Sequence, residues 1–180
     1  FTLTVSTSGS GSVTLNNTGP YYHTGEVVNL TAIPITGWSF GGWSGDLTGS
    51  TDPGTLTITR NMSVTATFTQ DQYTMTISIN PIGSGTVSKS PDQATYAYGT
   101  NVTLTASPSI GWSFGSWSGD ATGIINPVTV NMTGNKMVTA SFTQNLYTVT
   151  TTIIGTGAVT KNGTGSYHYG DVVNLTAVPS

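Results

Sequence analysis

Apolar and polar residues alternate with a period of two through most of this chain. Phe1, Leu3 and Val5 alternate with Thr2, Thr4 and Ser6. Val28, Leu30 and Ala32 alternate with Asn29 and Thr31, and Val64, Ala66 and Phe68 with Ser63, Thr65 and Thr67. Side chains of a β-strand point to opposite faces in turn, so each run predicts a strand with one buried face. No stretch of 11 or more residues carries the i, i+3, i+4 spacing of an amphipathic helix. Clusters of Gly, Pro, Asn and Ser separate the runs: SGSGS at 8–12, NNTGP at 16–20, PITG at 34–37 and GSTDPG at 49–54. Such clusters mark turns.

The pattern repeats. GWSFGGWSGDLTG at 37–49 returns as GWSFGSWSGDATG at 111–123, and GEVVNLTAIP at 25–34 returns as GTNVTLTASP at 99–108 and GDVVNLTAVP at 170–179. SVTATFTQ at 63–70 returns as MVTASFTQ at 137–144. Phe1, Tyr73 and Tyr147 open successive copies, giving periods of 72 and 74 residues. The expected organisation is repeat 1 at 1–72, repeat 2 at 73–146 and a partial repeat 3 at 147–180. About six short strands fit in each whole copy, with no room for a long helix. The predicted fold is all-β, with each copy a small antiparallel sandwich or open barrel. Only Gln70–Gln72 and Gln144–Leu146 join one copy to the next, and neither joint holds Gly or Pro. Joints of that kind predict a rod rather than freely swinging beads.

Composition sharpens this reading. Charged residues make up 6% of the chain, against about 25% in an ordinary domain. Disorder pairs low hydrophobicity with high charge, and here the charge is missing while regular apolar positions are present. The chain is therefore read as folded. Arg60, Lys89, Lys136 and Lys161 are scattered and the net charge is −3, which argues against nucleic acid as a partner. No apolar run approaches the ~18 residues of a membrane span, so no membrane insertion is expected in this segment. The absence of Cys excludes disulfides and thiolate metal sites.

The most repeated block carries two Trp per copy. Trp38, Phe40 and Trp43, with Trp112, Phe114 and Trp117, are expected to plug the small cores. Each ring can bury ~150–250 Å², worth several kcal/mol at ~25 cal/mol per Å². Gly41, Gly42 and Gly45 would let the backbone bend around the rings. The competing reading uses Trp38 and Trp43 as platforms for sugar rings. Asp46 and Asp120 end the block. Calcium needs six to eight oxygens, and Asp52 could assist Asp46, but the second copy has Asn126 nearby. A turn role, with each Asp bonding its own backbone, is favoured. No metal and no cofactor is expected.

Catalytic chemistry finds little material. One Glu (Glu26) and two His are present, no nucleophile–base–orienter set recurs, and no G-x-S-x-G elbow exists. His23 and His168 hold equivalent places, but Ala97 fills that place in the second copy. Lys89, Lys136 and Lys161 are expected in polar turns, away from the buried setting an isopeptide crosslink requires. The chain is read as non-enzymatic. N-x-[ST] sequons occur at Asn16, Asn29, Asn61, Asn101, Asn131, Asn162 and Asn174. Asn29 and Asn174 share a register, and Asn101 lies two residues earlier on the same predicted face, so glycans could line one side of the array.

The ordered set Y-T-[LMV]-T-[VI], G-[ST]-[GA]-[ST]-V-T, Y-x-x-G-x-x-V-x-L-T-A-x-P, G-W-x-F-x-x-W-S-G-D and V-T-A-x-F-T resembles the divergent internalin B-repeat family, or bacterial repeat domain. The resemblance spans essentially the whole chain. It implies a stalk, adhesin segment or envelope scaffold of a large secreted or cell-surface protein, with no catalytic residues to carry over. Relatives described as β-grasp-like include a short helix, for which this chain offers no segment. Low charge, sequons and Thr richness fit an archaeal envelope protein or a bacterial one. The third copy halts before its own GW block, and unpaired strands there would invite a neighbour. The expected partners are therefore identical chains or other envelope proteins, in a filament, sheath or surface layer, with glycans as possible ligands. The alternative is an adhesin module that binds glycans or host and community surfaces. Either places the chain outside the cell.

Overall fold

The computed structural model describes residues 1–163 and 165–180, and every regular element among them is a β-strand. The first copy holds β1 (Leu3–Ser8), β2 (Gly11–Leu15), β3 (Val27–Pro34), β4 (Trp38–Gly45), β5 (Gly54–Thr57) and β6 (Met62–Gln70). These form two three-stranded sheets, ordered β1-β6-β4 and β2-β3-β5. Val28, Leu30 and Ala32 of β3, Leu56 of β5, and Val64, Ala66 and Phe68 of β6 are buried in one core with Trp43. Their alternation with exposed Thr, Ser and Asn follows the period of the sequence. The sheets do not close into a barrel.

One pairing departs from the antiparallel expectation. β1 runs parallel to β6, with Leu3 opposite Met62 and Ser8 opposite Thr67. β6 alternates buried and less buried residues from Met62 to Phe68 and occupies the middle of its sheet, so it needs a partner on each edge. β4 supplies the antiparallel edge and β1 the parallel one. The sheet is mixed because the chain brings its last strand back beside its first.

The strands that follow are β7 (Gln72–Tyr73), β8 (Met75–Asn80), β9 (Gly85–Ser90), β10 (Tyr96–Ala97), β11 (Asn101–Pro108), β12 (Trp112–Gly119), β13 (Val128–Asn131) and β14 (Lys136–Gln144). The sheets β8-β14-β12 and β9-β11-β13 reproduce those of the first copy, and β8 again runs parallel to β14. Val102, Leu104, Ala106, Trp117, Val138, Ala140 and Phe142 are the buried counterparts. β15 (Ala158–Lys161) and β16 (Leu175–Val178) pair antiparallel, as β2 and β3 do. Each copy's opening residue also exchanges a backbone bond with a tyrosine: Phe1 with Tyr22, Tyr73 with Tyr96 and Tyr147 with Tyr167.

The chain divides into two compact units. The first comprises Phe1–Thr74, Gln93–Asn101 and Asn131–Asn135; the second comprises Met75–Asp92, Val102–Val130 and Lys136–Ser180. Short segments of the second sequence copy therefore belong to the first unit.

Candidate functional site

The block with the strongest identity forms β4 and its counterpart β12. In β4, Trp38 lies opposite Gln70, Phe40 opposite Phe68 and Trp43 opposite Ala66, with a bulge between Phe40 and Gly42. Were every residue of β4 paired in regular alternation, Trp43 would face away from Trp38 and Phe40, an odd number of positions from each; Gly41 is left unpaired instead. The bulge restores all three to the core face. Phe40 meets Trp43 with ring centroids 4.9 Å apart, and meets Phe68 edge-on at 6.0 Å. β12 has the same bulge between Phe114 and Ser116, and Phe114 lies 5.0 Å from Trp117.

Burial separates the rings. Trp43 and Trp117 are 5% and 2% exposed, and each donates its indole Nε1–H to a carbonyl, of Thr51 at 3.0 Å and Ile125 at 2.9 Å. A buried indole needs such a partner. Trp38, Phe40, Trp112 and Phe114 are half-buried. Trp38 and Phe40 pack on the margin of the first core.

The aspartates act across strands and not within their own turns. Asp46 N donates to Ser63 O at 2.9 Å, while its Oδ2 accepts from Ser63 N at 2.8 Å. Its Oδ1 pairs with Arg60. Asp120 repeats the bracket on Met137, giving its N–H to the carbonyl at 2.9 Å and accepting from Met137 N at 2.7 Å. That backbone bond, then Lys136 at 3.3 Å, holds the Asp120 carboxyl below its ordinary range. Asp52 does not assist Asp46; its Oδ1 accepts from Ala32 N at 2.9 Å. Asn126 does the same for Ala106 N at 2.9 Å, and its Nδ2 donates to Ala106 O at 2.8 Å. Glu26 accepts from His23 N at 2.9 Å, as Asp171 does from His168 N at 2.7 Å. These carboxylates are thus engaged in holding the backbone.

The lysines lie on strands, not in turns. Lys89 is in β9, Lys136 opens β14 and Lys161 ends β15. Their ammonium groups meet Asp92 at 3.0 Å, Asp120 at 3.3 Å and the Val149 carbonyl at 2.8 Å. A recess of about 430 Å³ beside Tyr147, Tyr167 and Tyr169 has a mostly apolar lining that includes His168 and Asp171.

All seven sequon asparagines are exposed. Asn29 and Asn101 lie on the outward faces of β3 and β11. Hydrogen bonds at Asn16, Asn29, Asn61 and Asn101 run through Oδ1, which accepts from Asn29 N, Thr55 Oγ1, Thr2 N and Asn131 Nδ2 respectively. Asn131 differs: its Nδ2 donates to both Gly99 O at 2.9 Å and Asn101 Oδ1 at 2.8 Å. Asn162 Nδ2 donates to Val172 O at 3.4 Å. Thr164, the last residue of the Asn162 sequon, lies outside the described residues.

Recurrent sheets and recurrent brackets define a tandem array of small all-β domains. The family model of the divergent InlB B-repeat domain matches residues 1–72 and 75–146, and the chain belongs to that family. Such domains occur in bacterial cell-surface or secreted proteins, and the family is not a known enzyme family. No curated protein matches the chain.

Proposed function

We propose that this chain is a non-enzymatic structural repeat region of an extracellular cell-surface protein. It serves as a stiff stalk or assembles with identical chains or other envelope proteins into a filament, sheath or surface layer. One observation carries the reading. The acidic groups Asp46, Asp120, Asp52 and Glu26 hold backbone amides; Asp46 and Asp120 do the same work in the two whole copies, and Asn126 does for Ala106 what Asp52 does for Ala32. A part whose charged groups are spent on its own backbone is suited to holding distance.

The half-exposed Trp38 and Trp112 favour a second reading, an adhesin module that stacks sugar rings. Immuno-electron microscopy of the native surface, paired with a glycan array, separates the two. An extended structure without sugar binding supports the scaffold. Sugar binding that is lost in Trp38→Ala and Trp112→Ala, with the fold intact, overturns it in favour of adhesion.

A further inference from the structure

The glycine before the first Trp of each copy lies directly beneath a tyrosine that belongs, by sequence, to the next copy. Gly37 is buried at φ +81°, and a Cβ placed on it would stand 2.3 Å from Cγ and Cδ1 of Tyr98 and 2.7 Å from its Cβ. Gly111 is buried at φ +80°, and its Cβ would stand 2.4 Å from Cβ of Tyr169 and 3.0 Å from Cγ. The approach reaches the root of each ring, so turning the ring cannot make room. Both pairs sit inside single compact units, Gly37 and Tyr98 in the first, Gly111 and Tyr169 in the second.

The surroundings recur as well. Gly37 O accepts from Asp71 N at 2.9 Å, and Asp71 O accepts from Tyr98 N at 3.0 Å. Gly111 O accepts from Asn145 N at 2.8 Å. Ser39 Oγ donates to Asp71 Oδ1 at 2.5 Å, and Ser113 Oγ to Asn145 Oδ1 at 2.6 Å. The Tyr73 ring stands 6.4 Å from that of Tyr98. Both tyrosines hold the third place of a Y-x-Y-G turn: Tyr96 to Gly99, and Tyr167 to Gly170. Thr24 holds that place in the first copy and carries no ring.

We propose that the glycine preceding the first Trp of each copy is a socket for one aromatic side chain of the following copy. The tyrosine in this socket anchors the Tyr96–Gly99 turn of the following copy within the first compact unit. The socket reads the partner chemically: a ring at the third turn position docks, and a short polar side chain such as Thr does not. The device is independent of whether the array is a scaffold or an adhesin.

Hydrogen exchange of the full chain reads the anchoring at Tyr98 N, Gly99 N and Thr100 N, which donate to Asp71 O, Met132 O and Ala97 O. The full chain and Tyr98→Phe are expected to protect these amides alike, and Tyr98→Ala to exchange them at least tenfold faster with unchanged circular dichroism. Equal exchange in the full chain and Tyr98→Ala would overturn the proposal. A stability cycle provides a second arm. Gly25 has φ +84° and open space around it, so Gly25→Ala reports the cost of positive φ alone. Gly37→Ala should lower the denaturation midpoint more than Gly25→Ala, and this excess should vanish in a Tyr98→Gly background, which removes the Cβ 2.7 Å away along with the ring. An excess that persists in the Tyr98→Gly background would show that Gly37 is needed for another reason, and the socket would be discarded.

Discussion

Phe40 and Trp43 are three residues apart on one strand, yet their rings meet on the same face with centroids 4.9 Å apart. The extra residue between Phe40 and Gly42 makes this possible by shifting the alternation once. Deleting Gly41 should therefore leave Trp43 two positions from Phe40 in plain alternation, still on the core face, and the first copy should keep its cooperative melt. Trp43→Ala in the intact strand should cost about 3–5 kcal/mol, as buried Trp truncations do, and Trp38→Ala clearly less. Denaturant titration followed by Trp fluorescence measures both, and equal costs for the two Trp would contradict the assignment.

Asp52 and Asn126 perform the same task with different charge. Ala32 is 5% exposed, so removing the acceptor of its N–H leaves a buried donor unsatisfied. Asp52→Ala should cost about 1–3 kcal/mol. Asp52→Asn should be near neutral, because Asn126 already makes that bond in the second copy. Thermal melts of the two variants decide the matter.

Acid should reveal Asp120. Its carboxyl is held below the ordinary value of 3.8, first by Met137 N and then by Lys136. A group whose folded pKa is depressed contributes stability that is present above its unfolded pKa and lost as pH falls through the folded one. The contribution of Asp120 is thus complete above about pH 4 and fades below it. Asp120→Asn should flatten the fall of stability in that acidic window and leave the neutral side flat. Parallel acid titrations of the two proteins would contradict this.

If the sequons are used, occupancy should be uneven. Glycosylation substitutes Nδ2, and Asn131 already donates both hydrogens of that group. Asn29, Asn61 and Asn101 use Oδ1 instead. Glycopeptide mapping of native material should find sugar at these three in preference to Asn131. Full occupancy at Asn131 would mean that sugar is attached before the strand forms.

Much of the architecture is legible from period-two alternation, because β3 and β6 each bury one face. Val28, Leu30 and Ala32, and Val64, Ala66 and Phe68, are core residues in sequence and structure alike. Three features are not legible, for physical reasons. The strand at Trp38–Gly45 hides its alternation behind one unpaired residue. The parallel pairing of β1 with β6 joins segments almost a whole copy apart, and alternation says which residues face inward but not which strand lies alongside. Asp46 looks like a turn residue, whereas its partner Ser63 lies 17 positions on. The pairing of Gly37 with Tyr98 is equally hidden, since the glycine shows only a need for small size.

The parallel ladder between β1 and β6 has a mechanical meaning. The chain enters each copy along β1 and leaves along β6, and these strands lie side by side pointing the same way. Tension applied through the ends slides one strand along the other. All the bonds from Leu3–Met62 to Ser8–Thr67 are then loaded together, not opened in turn as when a hairpin is unzipped. Single-molecule stretching of the full chain should show discrete, high-force ruptures for copies one and two. Resistance of this kind resides in backbone geometry, which leaves the outward Thr, Ser and Asn side chains free to change while the copy keeps its grip.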